Sequence, residues 1–407
     1  MRILFVMDSF VPDTLGGAER VVLGWARELA SRRHEVWVLA GRVNVPPGRD
    51  EEMEGFRVRR WSSRRRTFAD GYISAIRACT AAGRKLLDEH PPDVIHGCQG
   101  LSGYGLSLAK PRAPWVYTLF APWSEELAEE ARIQGAGLSA FARTFNNLGV
   151  RLKRFRVRRM ERRVLRGATA TALSEFSRRM LQSEHGIRRA QVGIVPAGTD
   201  LDRFFYTSDV ERQALRRQLN FREPVILCVR RLSPRVGLDL LIQALARIRN
   251  VVTDARLILA GRGPERAALE RLARQQGLTD AVTFAGFVPE DQLPDYYQAA
   301  DLFVLPMRSL EGFGMAAVES LACGTPVVGT PDGPTPEILR PLDEDMLAEG
   351  TSVDAIAQAC IRWLAKPEEM LAVRRRCRDY AEQNYSWKKA GLALEALYER
   401  VTASARR

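Results

Sequence analysis

Short apolar runs alternate with longer helical patterns along the chain, and this alternation constrains the fold more than any other feature. The first run, at 2–7, is followed by a loop with two glycines and a helical pattern near 18–32. Further apolar runs at 35–39, 93–96 and 115–118 are separated by helical stretches. Continuous apolar strands that alternate with helices predict a parallel sheet covered on both faces.

The same alternation starts again in the second half of the chain. Strand patterns separated by helical patterns recur at 224–229, 255–260, 282–284, 302–305 and 326–328. Two successive units of this kind predict an α/β protein with two Rossmann-like domains that face each other across a cleft.

The restart of the pattern sets the expected domain boundaries. We predict an N-terminal domain over 1–198, a C-terminal domain over 199–385 and a long terminal helix over 386–407. At roughly 150 residues per domain, the length of 407 residues allows each domain its own core.

The formal net charge of +12 is concentrated in one segment. Between Arg143 and Arg166 there are ten Lys or Arg residues and one acid, so this segment carries +9 and the rest of the chain +3. Roughly one face of the predicted helix is apolar: Leu148, Leu152, Phe155 and Val164. Two interpretations stay open, a helix packed on its own domain with solvated arginines or a helix lying on anionic lipid. A nucleic-acid partner is not expected, because no recognition module accompanies the charge.

The remaining composition excludes several classes of protein. The six cysteines include no C-x-x-C pair and only four histidines occur, so we expect neither a disulfide framework nor a protein-bound metal. No run reaches the roughly 18 apolar residues of a membrane span, and the first run is too short for a signal peptide. We expect a cytoplasmic protein, with peripheral association at the inner membrane face if the basic helix binds lipid.

Ligands of open α/β sheets bind beyond the carboxyl ends of the strands, and two loops there have suitable residues. Gly16-Gly17, after the first strand, lets the backbone approach a ligand, although a plain turn is the alternative. Arg230, Arg231 and Arg235 follow the first strand of the second unit. Three guanidinium groups there suit a diphosphate, because they make bidentate contacts with phosphate oxygens; solvated loop charges are the alternative.

A third segment is more specific. A strand is followed by a glycine-rich turn that opens a helix: Glu311-Gly312-Phe313-Gly314-Met315. The turn offers backbone N–H groups to an anion, and Glu311 can accept hydrogen bonds from sugar hydroxyls. Glu319, eight residues later, lies among residues that we expect to be buried. A buried acid needs a partner, which a ribose diol would supply.

In this order the motifs resemble those of the family-4 retaining glycosyltransferases of the GT-B fold, over essentially the full chain. The matching segments are 16–20, 33–36, 174–175, 196–200 with Phe204, 261–265, 286–288, the E-x7-E pair Glu311 and Glu319, and 324–328. The resemblance implies an acceptor-binding N-terminal domain and a C-terminal domain that binds a nucleotide sugar. It also implies that the terminal helix crosses back to pack on the N-terminal domain.

The resemblance further implies residue roles. Glu311, Arg231 and Arg235 would be catalytic, with Arg231 on the diphosphate, while Val288 would lie near the base and Glu319 would bind the ribose. The donor-binding set would be Gly17, Arg230, Arg231, Arg235, Arg262, Val288, Glu311, Gly312, Phe313, Gly314, Met315 and Glu319. His96 and Phe120 would lie on the acceptor side, although a histidine at a strand end can equally be a structural hydrogen-bonding residue. The nucleotide-diphosphate sugar would be a co-substrate, with no other cofactor and no metal.

Some positions depart from the family pattern. In the phosphate-binding loop, Arg230 stands where the family usually has glycine and Val236 where it usually has lysine. Arg235 would supply the missing cation. In the acceptor domain, Phe120 and Cys98 occupy positions that are often histidine.

The resulting prediction is a retaining hexosyltransferase. It would move a sugar from a nucleotide-diphosphate donor to an acceptor hydroxyl in the interdomain cleft, the acceptor being a glycan, a lipid-linked molecule or a small molecule. The leaving diphosphate would take the acceptor proton, so positioning and charge stabilisation matter more than a histidine base. Because of Phe120 and Val236, a catalytically impaired relative that binds a nucleotide or a partner is the alternative. A sugar-nucleotide epimerase also remains open.

Overall fold

The chain forms two compact units, each with its own sheet. The computed structural model describes residues 1–14, 16–43, 50–63, 68–120, 124–125, 140–188, 191–222, 224–309 and 311–405. Unit 1 consists of Met1–Ala197 together with Trp387–Arg407, and unit 2 of Gly198–Ser386.

Unit 1 is built on an eight-stranded sheet. Its strands are β1 (Arg2–Met7), β2 (Glu35–Val43), β3 (Glu51–Met53), β4 (Phe56–Ser63), β5 (Val94–Gly97), β6 (Trp115–Leu119), β7 (Ala168–Ala172) and β8 (Val192–Ile194). Across the sheet the order is β3-β4-β2-β1-β5-β6-β7-β8, and only the β3–β4 pair is antiparallel. Residues 3–7 of the central strand β1 are all buried, which explains its continuous apolar sequence.

The helices of unit 1 follow the strands. The first five are α1 (Gly17–Ser31), α2 (Phe68–Glu89), α3 (Gly100–Ser107), α4 (Ala140–Arg166) and α5 (Glu175–His185). The caps of α5 show how local sequence sets the ends. Ser174 accepts a hydrogen bond from the N–H of Ser177 at 3.1 Å, and Gly186 ends the helix with φ of 71°.

Unit 2 contains a five-stranded sheet in which all neighbours are parallel. Its strands are β9 (Val225–Val229), β10 (Arg256–Ala260), β11 (Val282–Gly286), β12 (Leu302–Leu305) and β13 (Val327–Gly329). The order is β11-β10-β9-β12-β13, so the chain changes direction across the sheet between β9 and β12. Such a switch point is where open α/β sheets bind ligands.

Eight helices of unit 2 lie within the described part of the chain. They are α6 (Asp209–Gln218), α7 (Leu238–Ile248), α8 (Arg266–Gln275), α9 (Leu293–Ala299), α10 (Met315–Ala322), α11 (Thr335–Leu339), α12 (Val353–Leu364) and α13 (Pro367–Asn384). None of the helices in the described ranges of the whole chain is both long and apolar enough to cross a membrane.

Buried arginines organise the amino-terminal edge of the unit 2 sheet. Arg212 and Arg216 both pair with Asp301, which precedes β12. Together with Arg374 they donate hydrogen bonds to the carbonyls of residues 298–300 at the end of α9. Cations are favourable at a helix C-terminus, where the carbonyls lack intrahelical partners. This edge is therefore occupied by structural contacts, and the opposite, carboxyl-terminal edge holds the candidate site described below.

The terminal helix, α14 (Trp387–Ala405), belongs to unit 1. It packs against α1, where Gly24 leaves room for the ring of Trp387. Glu395 accepts a hydrogen bond from His34 Nε2 at 2.7 Å and pairs with Arg32 at 2.6 Å. These contacts tie the end of the sequence to its beginning.

The structure confirms the predicted α/β fold class with two largely parallel, Rossmann-like sheets. The strand patterns that the sequence revealed all correspond to strands, while β3, β4, β7 and β8 were missed. β4 contains three arginines, two of them on alternate positions, and β7 contains only Ala and Thr. Neither carries the run of large apolar residues by which buried strands are recognised.

Candidate active site

Two predicted site residues meet at the switch point of unit 2. Arg230 directly follows β9, and Glu311 lies in the connection after the neighbouring β12. The Arg230 guanidinium pairs through Nη2 with Glu311 Oε2, and the two side chains are 20% and 12% exposed. Glu311 Oε1 accepts a hydrogen bond from the N–H of Gly314 at 3.0 Å, at the start of α10. The carboxylate is thus held from two sides.

The backbone around Arg230 is closely packed. Its N–H donates to the carbonyl of Ala260 at 2.9 Å. Gly261 has φ of 148°, and a Cβ at that position would lie 1.9 Å from the Arg230 carbonyl oxygen. Gly237, with φ of 75°, leaves similar room for the carbonyl of Pro306, which a Cβ would approach to 2.2 Å. Only glycine fits these two positions, so the loops after β9, β10 and β12 form one fixed surface.

The other two arginines of the loop lie in different surroundings. Arg231 is exposed and has no side-chain hydrogen bond or ion pair with any residue that the structure describes. Arg235 is half-buried on a 3₁₀ turn, Pro234–Val236, and its carbonyl accepts the N–H of Arg308 at 2.9 Å. Burial lowers the pKa of Arg230, and the nearby charge of Arg235 lowers it further. The loop after β9 therefore carries three cations, Arg230, Arg231 and Arg235, of which Arg230 is paired with Glu311.

The loop after β11 contains a residue that the sequence interpretation missed. Val288, predicted near the base, is buried at 8% exposure, whereas its neighbour Phe287 is 55% exposed. The guanidinium of Arg262 lies 5.6 Å from the centre of the Phe287 ring. An exposed aromatic ring covered by a cation is a surface on which a planar base can stack. The signal was present, since Phe287 lies inside the segment 286–288 that matches the family pattern, and only its neighbour Val288 was chosen as a site residue.

Glu319 finds a partner inside unit 2. It lies in α10 at 2% exposure, and its Oε2 accepts a hydrogen bond from the hydroxyl of Tyr297 at 3.1 Å. The sequence correctly indicated that a buried acid here needs a partner, but it did not reveal that the protein supplies one. The ribose contact of Glu319 stays a prediction.

The glycine-rich turn presents its backbone rather than its largest side chain. Phe313 is buried at 5% exposure, and its ring packs edge-on against Tyr385, with 5.9 Å between ring centres. Gly312 and Met315 are partly exposed on either side of it. A ligand contact from Phe313 would therefore come from its backbone N–H.

Buried polar atoms without hydrogen-bond partners occur at the same edge. They are Arg230 Nε, Ser233 Oγ, Asp332 Oδ2 and Thr335 Oγ1. Native structures leave few such atoms, and they often mark ligand or water positions.

Asp332 follows β13, and burial raises the pKa of its carboxyl group. The next residue, Gly333, contacts Glu311, since a Cβ on Gly333 would lie 3.2 Å from the Glu311 Cβ. Asp332 was not predicted, because it belongs to none of the quoted motifs.

The glycine loop of unit 1 is held by a buried acid. Glu19 accepts hydrogen bonds from the Ser9 hydroxyl at 2.8 Å and from the N–H of Gly16 at 3.1 Å. Gly17 is exposed, and a Cβ there would meet no atom within 4 Å. No steric constraint within unit 1 therefore requires glycine at position 17.

The surroundings of His96 favour the structural alternative over the acceptor-side role. It is completely buried, with Nδ1 2.6 Å from the Tyr398 hydroxyl and Nε2 2.6 Å from Thr118 Oγ1. Burial lowers the pKa of His96 to about 3, so the ring is neutral at physiological pH. Both ring nitrogens are engaged, so His96 links α14 to the sheet of unit 1 and is not available to an acceptor.

Phe120 and Cys98, which replace histidines of the family pattern, provide no titrating group near neutral pH. Phe120 is partly exposed at the end of β6, and its ring centre lies 6.0 Å from that of Trp25. Cys98 is buried, and burial raises the pKa of its thiol well above the usual range. The acceptor-side prediction for Phe120 remains open.

The basic helix α4 has one buried and one exposed side. Val157, Val164 and Leu165 are buried, whereas Leu152 is 52% and Phe155 63% exposed. The predicted single apolar face is therefore wrong, because Val164 lies on the packed side and Leu152 and Phe155 on the other; the side chain of Leu148 lies outside the described ones. Exposed cations surround the two apolar residues: Arg151, Lys153, Arg156, Arg159, Arg162, Arg163 and Arg166.

Among the described residues, no group of three or more His, Cys, Asp or Glu side chains is arranged to hold a metal ion. The features of the site are instead guanidinium groups, a paired carboxylate and a helix start at the carboxyl ends of parallel strands. This combination is typical of Rossmann-like units that bind nucleotides.

Comparison with known proteins gives the family. The model of the family described as Glycosyltransferase Family 4 matches residues 15–203, and that of Glycosyl transferases group 1 matches residues 211–384. Together they cover most of the chain, which belongs to glycosyltransferase family 4 and has its GT-B fold.

Solved structures agree on the fold. Sucrose-phosphate synthase from Thermosynechococcus elongatus matches with a TM-score of 0.81 and 22% identity, covering 99% of this chain and 100% of that one. HepE of Anabaena in complex with UDP matches with a TM-score of 0.74 and 21% identity, covering 98% and 100%. At these identities the likeness concerns the fold.

Curated relatives are more similar in sequence over part of the chain. A GDP-mannose-dependent alpha-(1-6)-phosphatidylinositol monomannoside mannosyltransferase of Mycolicibacterium smegmatis is 34% identical over 233 residues, 56% of this chain and 61% of that protein. A mannosylfructose-phosphate synthase of Agrobacterium fabrum is 40% identical over 162 residues, 38% of this chain and 36% of that protein. The chain thus aligns with less than two thirds of the length of either relative.

Proposed function

We propose that the protein is a retaining glycosyltransferase that moves a sugar from a nucleotide-diphosphate donor to an acceptor hydroxyl. One observation carries the proposal. At the switch point of unit 2, the exposed Arg231, which has no side-chain partner among the described residues, lies in the same loop as Arg235 and next to the Arg230–Glu311 pair. An exposed cation of this kind beside a hydrogen-bond-accepting carboxylate suits a ligand with a diphosphate at one end and hydroxyls at the other.

In the proposed reaction the bond between the sugar C1 and the diphosphate oxygen breaks. The new bond from C1 to the acceptor oxygen forms on the same face of the sugar, and the acceptor proton passes to the leaving diphosphate. Arg231 and Arg235 stabilise the negative charge that develops on that group, and Glu311 accepts hydrogen bonds from the sugar hydroxyls. Phe120 has no titrating group, which fits a mechanism in which no histidine at this position acts as base.

The donor that we propose to test first is GDP-mannose. The names of several curated relatives contain it, among them the Mycolicibacterium smegmatis mannosyltransferase and a similar protein of Corynebacterium glutamicum. Phe287 and Arg262 are the proposed stacking surface for the base. We also propose that the protein holds no metal of its own, so turnover should persist in EDTA.

The direct test is nucleotide release from GDP-mannose, UDP-glucose and ADP-glucose, with and without a panel of sugar and inositol-lipid acceptors. Acceptor-dependent turnover of at least one donor is expected. Arg231→Ala/Arg235→Ala should lower kcat by about 10²–10³. Arg271→Ala/Arg274→Ala is a matched control, since it removes the same charge from exposed positions of α8.

The other outcomes are informative. Nucleotide binding without turnover of any donor would favour the catalytically impaired alternative. Conversion of the sugar nucleotide without an acceptor would indicate an epimerase. Equal activity of the wild type and the double arginine variant would contradict the assignment of the diphosphate to this loop.

We further propose that the exposed side of α4 binds an anionic membrane surface, which would bring the enzyme to lipid-linked acceptors. Phe155 and Leu152 protrude among seven exposed cations of this helix. Apolar side chains that enter the headgroup region, combined with cations that attract anionic lipid, are the two contributions that hold interfacial helices.

Co-sedimentation with phosphatidylglycerol vesicles tests this surface. Binding should weaken when Leu152→Ser/Phe155→Ser removes the apolar contribution, and Arg156→Glu/Arg159→Glu should abolish it at 0.1 M salt. The control Arg271→Glu/Arg274→Glu makes the same change of net charge in unit 2. Failure of the wild type to bind at low salt would contradict the membrane proposal and leave the donor reaction unaffected.

A further inference from the structure

Arg230 differs from the other arginines of its loop because its guanidinium contacts the acid to which sugar binding is assigned. It stands at a position where the family resemblance leads us to expect glycine, and a glycine there could not form the pair with Glu311. The N–H of Gly314 engages the second oxygen of Glu311 at 3.0 Å. Each carboxylate oxygen then has one protein donor and retains capacity to accept another hydrogen bond.

A cation is costly at this position. Burial lowers the pKa of Arg230, and the positive charge of Arg235 adds to the effect. The carbonyl of Arg230 fits against Gly261, so the backbone cannot move away to relieve the cost. The only described carboxylate in ion-pair contact with it is that of Glu311, which places the two side chains in a fixed relation.

A purely stabilising ion pair does not explain this arrangement. Buried ion pairs contribute little net stability, because desolvation offsets their attraction. The pair is also located at the switch point, and Arg230 Nε is buried without a hydrogen-bond partner. Both features indicate a group kept for a ligand site.

We propose that Arg230 is a positioning residue that makes recognition of the donor sugar depend on the Arg230–Glu311 pair. By holding the Glu311 carboxylate against Gly314, it presents a fixed and charge-compensated acceptor to the sugar hydroxyls. The inference rests on the proposed function and deepens it. This chain should bind a sugar nucleotide more tightly than the free nucleoside diphosphate because of the Arg230–Glu311 pair. A glycine at position 230 would remove that pair and with it the preference.

The test is calorimetric binding of GDP and GDP-mannose, and of the UDP/UDP-glucose and ADP/ADP-glucose pairs, to wild type, Arg230→Gly, Arg230→Lys, Glu311→Gln and Arg230→Gly/Glu311→Gln. In Arg230→Gly, the preference for the sugar nucleotide over its diphosphate should fall at least about tenfold, as loss of a charged hydrogen bond implies. Affinity for the diphosphate alone should hardly change, which also shows that the variant is folded. Arg230→Lys should recover part of the preference.

The double variant separates positioning from direct contact. If Arg230 acts through Glu311, Arg230→Gly should have no further effect on the preference once Glu311 is glutamine. Equal weakening of diphosphate and sugar nucleotide would overturn the inference, because Arg230 would then be a phosphate contact. An unchanged preference would overturn it as well. If the wild type binds none of the nucleotides, the proposed function itself fails, a result distinct from either.

Discussion

At the scale of single residues, two glycines that serve the same kind of loop in the sequence have different physical roles. Gly261 adopts a backbone conformation that L side chains rarely adopt, and it contacts the carbonyl of Arg230. Gly17 has open space where a side chain would be. The first glycine is required by the fold of unit 2, while no described contact in unit 1 requires the second.

Alanine at these positions should therefore give opposite results. Gly261→Ala should destabilise the protein by at least about 2 kcal/mol, because a Cβ would overlap a backbone carbonyl at positive φ. Gly17→Ala should change the free energy of unfolding by less than about 0.5 kcal/mol and should lower turnover if the donor approaches that backbone. Urea unfolding and donor turnover measure the two effects; strong destabilisation by Gly17→Ala would contradict the assignment.

His96 predicts a pH dependence of stability. The pKa falls from 6.5 to about 3 on folding because of burial. The unfolded imidazole therefore takes up a proton as the pH is lowered from 7 to 5, while the folded one does not. The free energy of unfolding accordingly decreases as the pH is lowered through this interval. The expected loss from this group is about 2 kcal/mol. Urea unfolding at pH 7 and pH 5 measures this decrease, which should be smaller by that amount in His96→Gln than in the wild type. An equal decrease in the two proteins would contradict the prediction.

The residue scale also shows what the sequence could and could not predict about the site. The positions of Arg230, Arg231 and Glu311 after strands were sufficient to place them at one edge of a sheet. Their pairing was not predictable, because side-chain direction depends on the loops that Gly237 and Gly261 hold together. The sequence could not decide between the two roles of His96 for a similar reason, since its partner Tyr398 lies 302 residues away in the sequence.

At the scale of elements, the contact between α1 and α14 depends on two glycines, one on each helix. A Cβ on Gly24 would lie 2.3 Å from the ring of Trp387, whereas a Cβ on Gly391 would lie 2.4 Å from the Cγ of Glu28. The overlaps are similar in size, but the indole ring is rigid and the glutamate side chain can turn away.

Alanine substitutions at these glycines test whether the α1–α14 contact is rigid. Gly24→Ala should lower stability by about 1–3 kcal/mol, as overpacking does. Gly391→Ala should destabilise less than Gly24→Ala, because Glu28 can relieve the overlap at its Cγ by changing rotamer and alanine has the better helix propensity. Thermal unfolding of both variants gives the comparison. Equal destabilisation by the two would show that the helix contact is not limited by Trp387.

Elements with a strong hydrophobic pattern were predictable from the sequence, and elements without one were not. The strands β9, β12 and, after Arg2, β1 consist of uninterrupted apolar residues because they are buried on both faces. The short β8 and the Ala/Thr strand β7 are specified by their neighbours in the sheet, which local sequence does not contain. For α4 the sequence predicted a helix, but not that Leu152 and Phe155 would point away from its packed side.

At the scale of the whole molecule, the net charge of +12 divides into parts with different roles. The larger part belongs to α4, where it surrounds two exposed apolar residues. A smaller part, Arg230, Arg231 and Arg235, lies at the carboxyl edge of the unit 2 sheet. Further arginines, such as Arg212 and Arg216, form ion pairs with Asp301 in a structural cluster. The basic character therefore reflects several separate functions.

The central claim is that the chain transfers a sugar from a nucleotide-diphosphate donor with retention of configuration. The test uses GDP-mannose together with an acceptor that supports turnover. Proton NMR then follows the signal of the anomeric proton of the transferred sugar as GDP is released. The predicted result is a product with the α configuration of the donor. Arg231→Ala/Arg235→Ala should form the same product about 10²–10³-fold more slowly than the wild type. A β product, or GDP release unaffected by the double substitution, would contradict the account.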